Sequence, residues 1–142
     1  MRKEAELMME SRSAYVPGTA ECAFFKGHEE ALPLYAAFMQ QTQAALPEFG
    51  IRVQKTQITL CNRHVFSCVS FLRVRPKALM PASFFTLTFG LEHPLESARI
   101  DAKVEAYRNR WTHHVVLSDA GQIDEELLSW LREAYDFAQQ KR

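Results

Sequence analysis

A chain of 142 residues with 47% hydrophobic and 24% charged residues suits one globular domain with a sizeable core. Its 17 Lys and Arg balance 17 Asp and Glu, a neutrality that argues against nucleic acid as its partner. No stretch approaches the roughly 18 apolar residues of a membrane span, so no membrane partner is expected.

In chain order, MRKEAELMMESRS scatters its charges and has no long apolar run, unlike a secretory signal. Cys22, Cys61 and Cys68 are odd in number and form no CxxC pair, which together predicts reduced thiols and a cytoplasmic location. Residues 1–22 read as an N-terminal extension containing a short helix over about the first 12, with Pro17-Gly18 as a turn. Residues 23–142 read as the single compact domain.

The first full helix is expected from Gly27 to Leu46, where Leu32, Tyr35, Phe38, Met39, Thr42 and Leu46 recur at spacings of three and four. Pro33 is tolerated in its first turn, and Pro47 and Gly50 end it. Alternation then predicts short strands over Ile51–Lys55, Gln57–Cys61 and His64–Phe71, the last two joined through Asn62-Arg63. A Pro-containing basic loop follows, then the β-run FFTLTFG and a hairpin of Lys103–Tyr107 with Trp111–Leu117. Asp124 is the expected N-cap of a last helix that reaches about Gln139, with Leu127, Leu131, Ala134, Tyr135 and Ala138 as its buried stripe. The sum is an α+β fold: an antiparallel sheet of about five strands, flanked by an N-terminal-side helix and a C-terminal helix.

The zero net charge hides an asymmetry. From Phe49 to Leu91 there are six basic residues (Arg52, Lys55, Arg63, Arg73, Arg75, Lys77) and no acidic one, whereas Asp119–Phe137 holds six acidic residues against Arg132 alone. Such runs are commonly solvated faces; a basic surface that attracts an anion is the alternative. Within the hairpin, alternation puts Ile58, Leu60, Val65, Val69 and Phe71 on the core face. It puts Lys55, Gln57, Thr59, Cys61, His64, Phe66, Cys68 and Ser70 on the other. That second face is either the wet side of a one-layer sheet or the floor of a shallow polar pocket.

The residues proposed for a ligand are Lys55, Gln57, Thr59, Arg63, Arg99 and Arg110 for an anion, Tyr107 and Trp111 for stacking, and the pair His113 and His114, of which one is expected to hydrogen-bond inside the fold and the other to titrate at the surface or in a pocket. No metal site is expected: neighbours on a strand point to opposite faces, so His113 and His114 cannot readily share an ion, and the other histidines lack ligand spacing. Cys61 and Cys68 are the candidate nucleophiles, with His64 across the hairpin as a base for Cys61, and no recognisable catalytic or cofactor motif accompanies them, which leaves enzymatic activity undecided and no cofactor implied.

Four blocks occur in order: QKTQITLCNRHVF (54–66), LTFGLEHPLESARI (87–100), RWTHHVVLS (110–118) and ELLSWLREAYDFA (126–138). They resemble a family of small bacterial domains catalogued as a domain of unknown function, over about Phe24–Phe137. The resemblance implies a compact α+β domain, found alone or appended to other modules, and brings no established activity. A more distant likeness to small bacterial α+β domains that bind small ligands is one of fold alone. The leading expectation is a cytoplasmic module that holds a small anionic ligand, or a partner's acidic segment, on the Lys55/Gln57/Thr59 face. The competing expectation is a homodimer in which the basic middle of one chain meets the acidic last helix of another.

Overall fold

The computed structural model describes residues 14–141, and the helix expected over the first 12 residues lies outside them. Gly18 opens a short helix, α1 (Thr19–Phe24). The chain then turns at Gly27, whose φ of 86° a side chain would strain. This turn delays the main helix: a single 3₁₀ turn (Glu29–Ala31) leads into α2 (Leu32–Ala45), with Pro33 in its first turn where no N–H is missed.

Six strands follow: β1 (Gly50–Val53), β2 (Gln57–Cys61), β3 (Val65–Ser70), β4 (Phe85–Leu91), β5 (Ala102–Tyr107) and β6 (Arg110–Leu117). They form one antiparallel sheet in the order β1-β2-β3-β4-β6-β5. The α+β class is as expected, but the sheet has six strands rather than about five. Even the four-residue β1 pairs along its whole length, from Gly50 opposite Cys61 to Val53 opposite Ile58. Asn109, at φ 60°, makes the tight β5–β6 turn. The last helix, α3 (Glu125–Gln140), begins where the Asp124 side chain accepts from the Leu127 N–H at 3.0 Å.

Both long helices cover one face of the sheet. Tyr35 and Phe38 of α2 meet Phe85 edge-on, while Trp130 and Tyr135 of α3 meet Phe89 and Phe66. Beneath them the cross-strand row Ile58–Val69–Leu87–Val115 is buried from end to end. Burying one apolar side chain of this size stabilises by about 1.5–3 kcal/mol, so this layer carries the fold.

Two residues sit opposite to the simple alternation. Phe66 was expected on the polar face, yet it is 2% exposed and packs on Phe49 and Tyr135. Val65 was expected in the core and is 46% exposed. The cause is a β-bulge: Leu60 pairs with Ser67 and Cys61 with Val65, so Phe66 is an extra residue that turns towards the core. The same irregularity lengthens the expected two-residue loop to Asn62–His64. That loop docks on α3, with Asn62 Nδ2 donating to the Tyr135 carbonyl at 2.9 Å and His64 Nδ1 at 2.9 Å from the Ala138 carbonyl. His64 is therefore engaged at the helix end instead of facing Cys61.

The segment before α2 is fastened by a buried carboxylate. Glu21 accepts from the Gly18 N–H at 2.8 Å and from the hydroxyls of Tyr15 and Tyr35. Phe25, fully buried, packs between this cluster and Phe71 at the end of β3. The N-terminal segment thereby closes over one end of the sheet.

Candidate functional site

The face of the sheet turned away from α2 and α3 is built from the alternate residues of the same strands. One register step from the apolar row lies a second row, Thr59–Cys68–Thr88–His114, each residue opposite the next on β2, β3, β4 and β6. Beside it runs Gln57–Ser70–Thr86–Val116. Polar side chains at this register are what strict alternation on a sheet with one dry face requires.

This face is not simply wet. The loop after β3 folds back over part of it: Thr86 Oγ1 donates to the Leu72 carbonyl at 2.6 Å. Arg75 Nε reaches Asp101 Oδ1 at 2.7 Å, while Asp101 Oδ2 accepts from the Val116 N–H at 2.7 Å. What stays open is a hollow of about 560 Å³ between this loop, the turn after α1 and the β1–β2 turn, a size within the range of small-molecule sites.

Its floor is the polar row. Thr88 Oγ1 lies 2.8 Å from His114 Nδ1, and Thr88 stands opposite Cys68 on the neighbouring strand. Burial pushes the Cys68 thiol up and holds the His114 imidazole below its ordinary range. Both groups are thus neutral near pH 7. A neutral thiol two strands from a neutral imidazole, with a threonine between, is suited to fixed hydrogen bonding and not to thiolate attack. His114 Nδ1 is committed to Thr88, and Nε2 has no protein partner among the described residues.

One end wall is aromatic. The rings of Phe24 and His28 lie within 16° and 13° of the Phe71 plane, with centroids 5.2 and 3.8 Å from it. The rim is basic: Lys26 follows α1, and Lys55 leads the β1–β2 turn with Thr56 and Gln57. No carboxylate lines the hollow, and neither lysine has an ion-pair partner among the described residues. A second hollow of about 530 Å³, along residues 96–103, differs in kind: it contains Glu96 and Asp101 and no aromatic side chain.

Of the residues singled out from sequence, the fold brings Lys55, Gln57 and His114 to this hollow. Thr59 stands next to it, 1% exposed, accepting from Gln57 Nε2 at 3.1 Å and donating to Gln54 Oε1 at 2.7 Å. The others lie elsewhere. Arg63 is in the loop that docks on α3, its N–H donating to Gln139 Oε1 at 3.1 Å. Arg99 is held by Asp124 and Glu126 and by the Gln122 carbonyl, over the Trp130 ring. Tyr107 and Arg110 flank the β5–β6 turn, exposed, and half-buried Trp111 pairs with Glu105 and Leu91.

His113 is on the helix-covered face, fully buried and stacked on Phe89 at 11°. Its Nε2 accepts from the Leu95 N–H at 3.0 Å. Sequence reasoning missed Lys26, His28, Phe24 and Leu72 as parts of one site. None has a periodic signal, because they reach the hollow through the wrap of the N-terminal segment and the fold-back of the loop.

Comparison with known proteins gives one match. A family model described as domain of unknown function DUF5655 matches residues 21–138. The chain belongs to this family. The matched span starts inside α1 and ends in the last turn of α3, so it takes in the whole sheet and every wall of the hollow. No curated protein and no solved structure matches the chain.

Proposed function

We propose that this DUF5655 domain is a cytoplasmic bacterial module that binds a small anionic ligand in the hollow on the open face of its sheet. One observation carries the reading: among the described residues, Lys26 and Lys55 have no ion-pair partner and stand at the rim of a hollow that no carboxylate lines. Four other cations are spent within the fold: Arg75 on Asp101, Arg99 on Asp124 and Glu126, Lys103 on Glu96 and Arg132 on Glu125. Two free ammonium groups over a polar floor form a local positive field that favours a phosphate or carboxylate. His114 Nε2, Gln57 and Ser70 supply neutral hydrogen-bonding groups that would orient such a ligand.

Thermal-shift and calorimetric titration with inorganic phosphate, acetate and nucleoside monophosphates tests the reading. An anion that raises the melting temperature of the parent should do so far less for Lys55→Ala and Lys26→Ala. Equal shifts in parent and variants, or none with any anion, would rule the reading out.

A second reading, self-association, draws on the other end of the sheet. Edge strand β5 is exposed for most of its length and presents Val104 and Tyr107, 54% and 73% exposed. An unpaired edge of this kind can pair with another strand. The ionic form of that reading has less behind it, because Asp124, Glu125, Glu126 and Glu133 already have partners within the chain. Sizing chromatography of the parent and of Val104→Lys discriminates: a dimer that the lysine splits supports edge pairing, and a monomeric parent removes it.

A further inference from the structure

We infer that the ligand of this hollow carries a flat ring joined to its anionic group, the ring lying against the Phe24–Phe71–His28 wall and the anion at Lys26 and Lys55. This rests on the anion-binding reading above and narrows its ligand class.

The argument starts from the unequal ends of the hollow. At one end Phe24, Phe71 and His28 form a ladder of near-parallel rings, and Leu72 adds an aliphatic surface beside it. Phe71 is anchored from behind by its edge-on contact with buried Phe25, so the ladder has a rigid base. His28 is exposed and has no hydrogen-bond partner for its ring among the described residues. An imidazole stacked flat on a phenyl ring and open to solvent is a platform for another flat ring.

An anion alone would leave this apolar wall in water, and an apolar ring alone would leave the lysines and the polar floor unmatched. A hollow of about 560 Å³ is also larger than a bare phosphate or acetate needs. The floor sets a further condition. His114 and Cys68 are neutral, so the middle of the ligand meets hydrogen-bonding groups without charge, and the charge of the ligand belongs at the lysine rim. Aromatic phosphates and aromatic carboxylates satisfy all three conditions, and a nucleoside monophosphate is one member of that class.

Four probes separate the contributions, titrated by calorimetry against the intact chain: inorganic phosphate, n-butyl phosphate, phenyl phosphate and benzyl alcohol. Phenyl phosphate should bind about tenfold more tightly than either n-butyl phosphate or inorganic phosphate, a gain typical of one ring stacked on an aromatic wall. His28→Ala should remove most of that gain while leaving the affinity for inorganic phosphate unchanged. His28 is exposed and outside the core, so its variant should fold; Phe24→Leu, which flattens the ladder from the other side, should give the same pattern. Lys55→Ala should weaken all three phosphates together.

If phenyl and n-butyl phosphate bind equally and Lys55→Ala weakens both, the flat-ring inference is overturned and the anion reading stands. If no phosphate binds, both fall. If benzyl alcohol binds as tightly as phenyl phosphate, the anionic half is wrong and the proposal is overturned with it.

Discussion

His113 and His114 are neighbours on one strand and live in different solvents. His113 looks towards the helices, stacked on Phe89 and fully buried. His114 looks the other way, onto a row of Thr and Cys at the floor of a hollow. The same contrast runs across the sheet, where Ile58–Val69–Leu87–Val115 on one face is one residue out of step with Thr59–Cys68–Thr88–His114 on the other. One face holds the protein together and the other floors a hollow. A single strand serves both because its side-chain period is two.

The difference should be largest in stability. Phe85 is fully buried under Tyr35 and Phe38, so Phe85→Ala should cost about 3–5 kcal/mol in denaturant unfolding. Ser70, half-buried on the open face, donates no bond that spans two elements, and Ser70→Ala should change stability by about 0.5 kcal/mol or less. Comparable losses at the two positions would break the division of labour.

Next in size is the tie between the two regions. Tyr35 projects from α2 and gives its hydroxyl to Glu21, which also holds Tyr15 and the Gly18 N–H. Tyr35→Phe should cost about 1.5–3 kcal/mol, the range for a hydrogen bond to a charged group. Burial, reinforced by Glu21, pushes the Tyr35 hydroxyl well above its ordinary value of 10.0. A raised folded-state pKa contributes stability below the unfolded value that is lost as pH rises beyond it. The melting temperature should therefore fall above about pH 10, and fall less in Tyr35→Phe. Because the Glu21 cluster anchors the segment that carries Phe24, Lys26 and His28, this variant should also loosen the hollow, seen as faster amide exchange over residues 18–28.

The division between the faces was largely legible in the sequence. Gln57, Thr59, Cys68, Ser70, Thr86 and Thr88 alternate with Ile58, Val69 and Leu87, and a period-two pattern declares its two faces without a structure. Phe66 was misplaced because a bulge is a register event between two strands, invisible in either strand alone. The lateral row from Cys68 through Thr88 to His114 needed the strand order, since β6 inserts beside β4 ahead of β5. Arg99 and Arg110 looked like ligand residues because their surroundings are set by segments distant in sequence: Asp124 and Glu126 claim Arg99, and the β5–β6 turn carries Arg110 away from the hollow. The aromatic wall was the least legible part. His28 and Phe71 are 43 residues apart by their numbers and meet only because α1 folds over the end of β3.

The two histidines also predict a pH dependence. Burial lowers the pKa of both below the ordinary 6.5. A depressed folded-state value means that the unfolded chain takes up the proton first, so stability falls as pH drops through about 6.5 and below. For His113 protonation would also turn Nε2 from acceptor to donor and set it against the Leu95 N–H, with His93 and Lys103 adding positive charge nearby. His113→Gln keeps an acceptor and cannot titrate. It should flatten the decline in melting temperature between pH 7 and pH 5 more than His114→Gln does. An equal flattening by both would mean that the open face is as dry as the core.

The smallest expected stability effect is the sharpest test of the open face. Lys55 sits on the exposed β1–β2 turn, has no ion-pair partner among the described residues and contributes nothing to the apolar layer. Lys55→Ala should therefore move the melting temperature by no more than about 2 °C, at every ionic strength from low to high salt. A residue kept only as a solvated charge and a residue that holds an anion share this neutrality in the bare protein, and they separate once an anion is added. The parent should gain stability with rising phosphate as mass action requires of a ligand that binds only the folded state. The variant's melting temperature should follow phosphate only through its general salt effect, matched by an equal ionic strength of chloride. A large loss in the bare variant would place Lys55 among the residues that hold the fold and would erase the line between the two faces at a position where both the sequence and the hollow draw it.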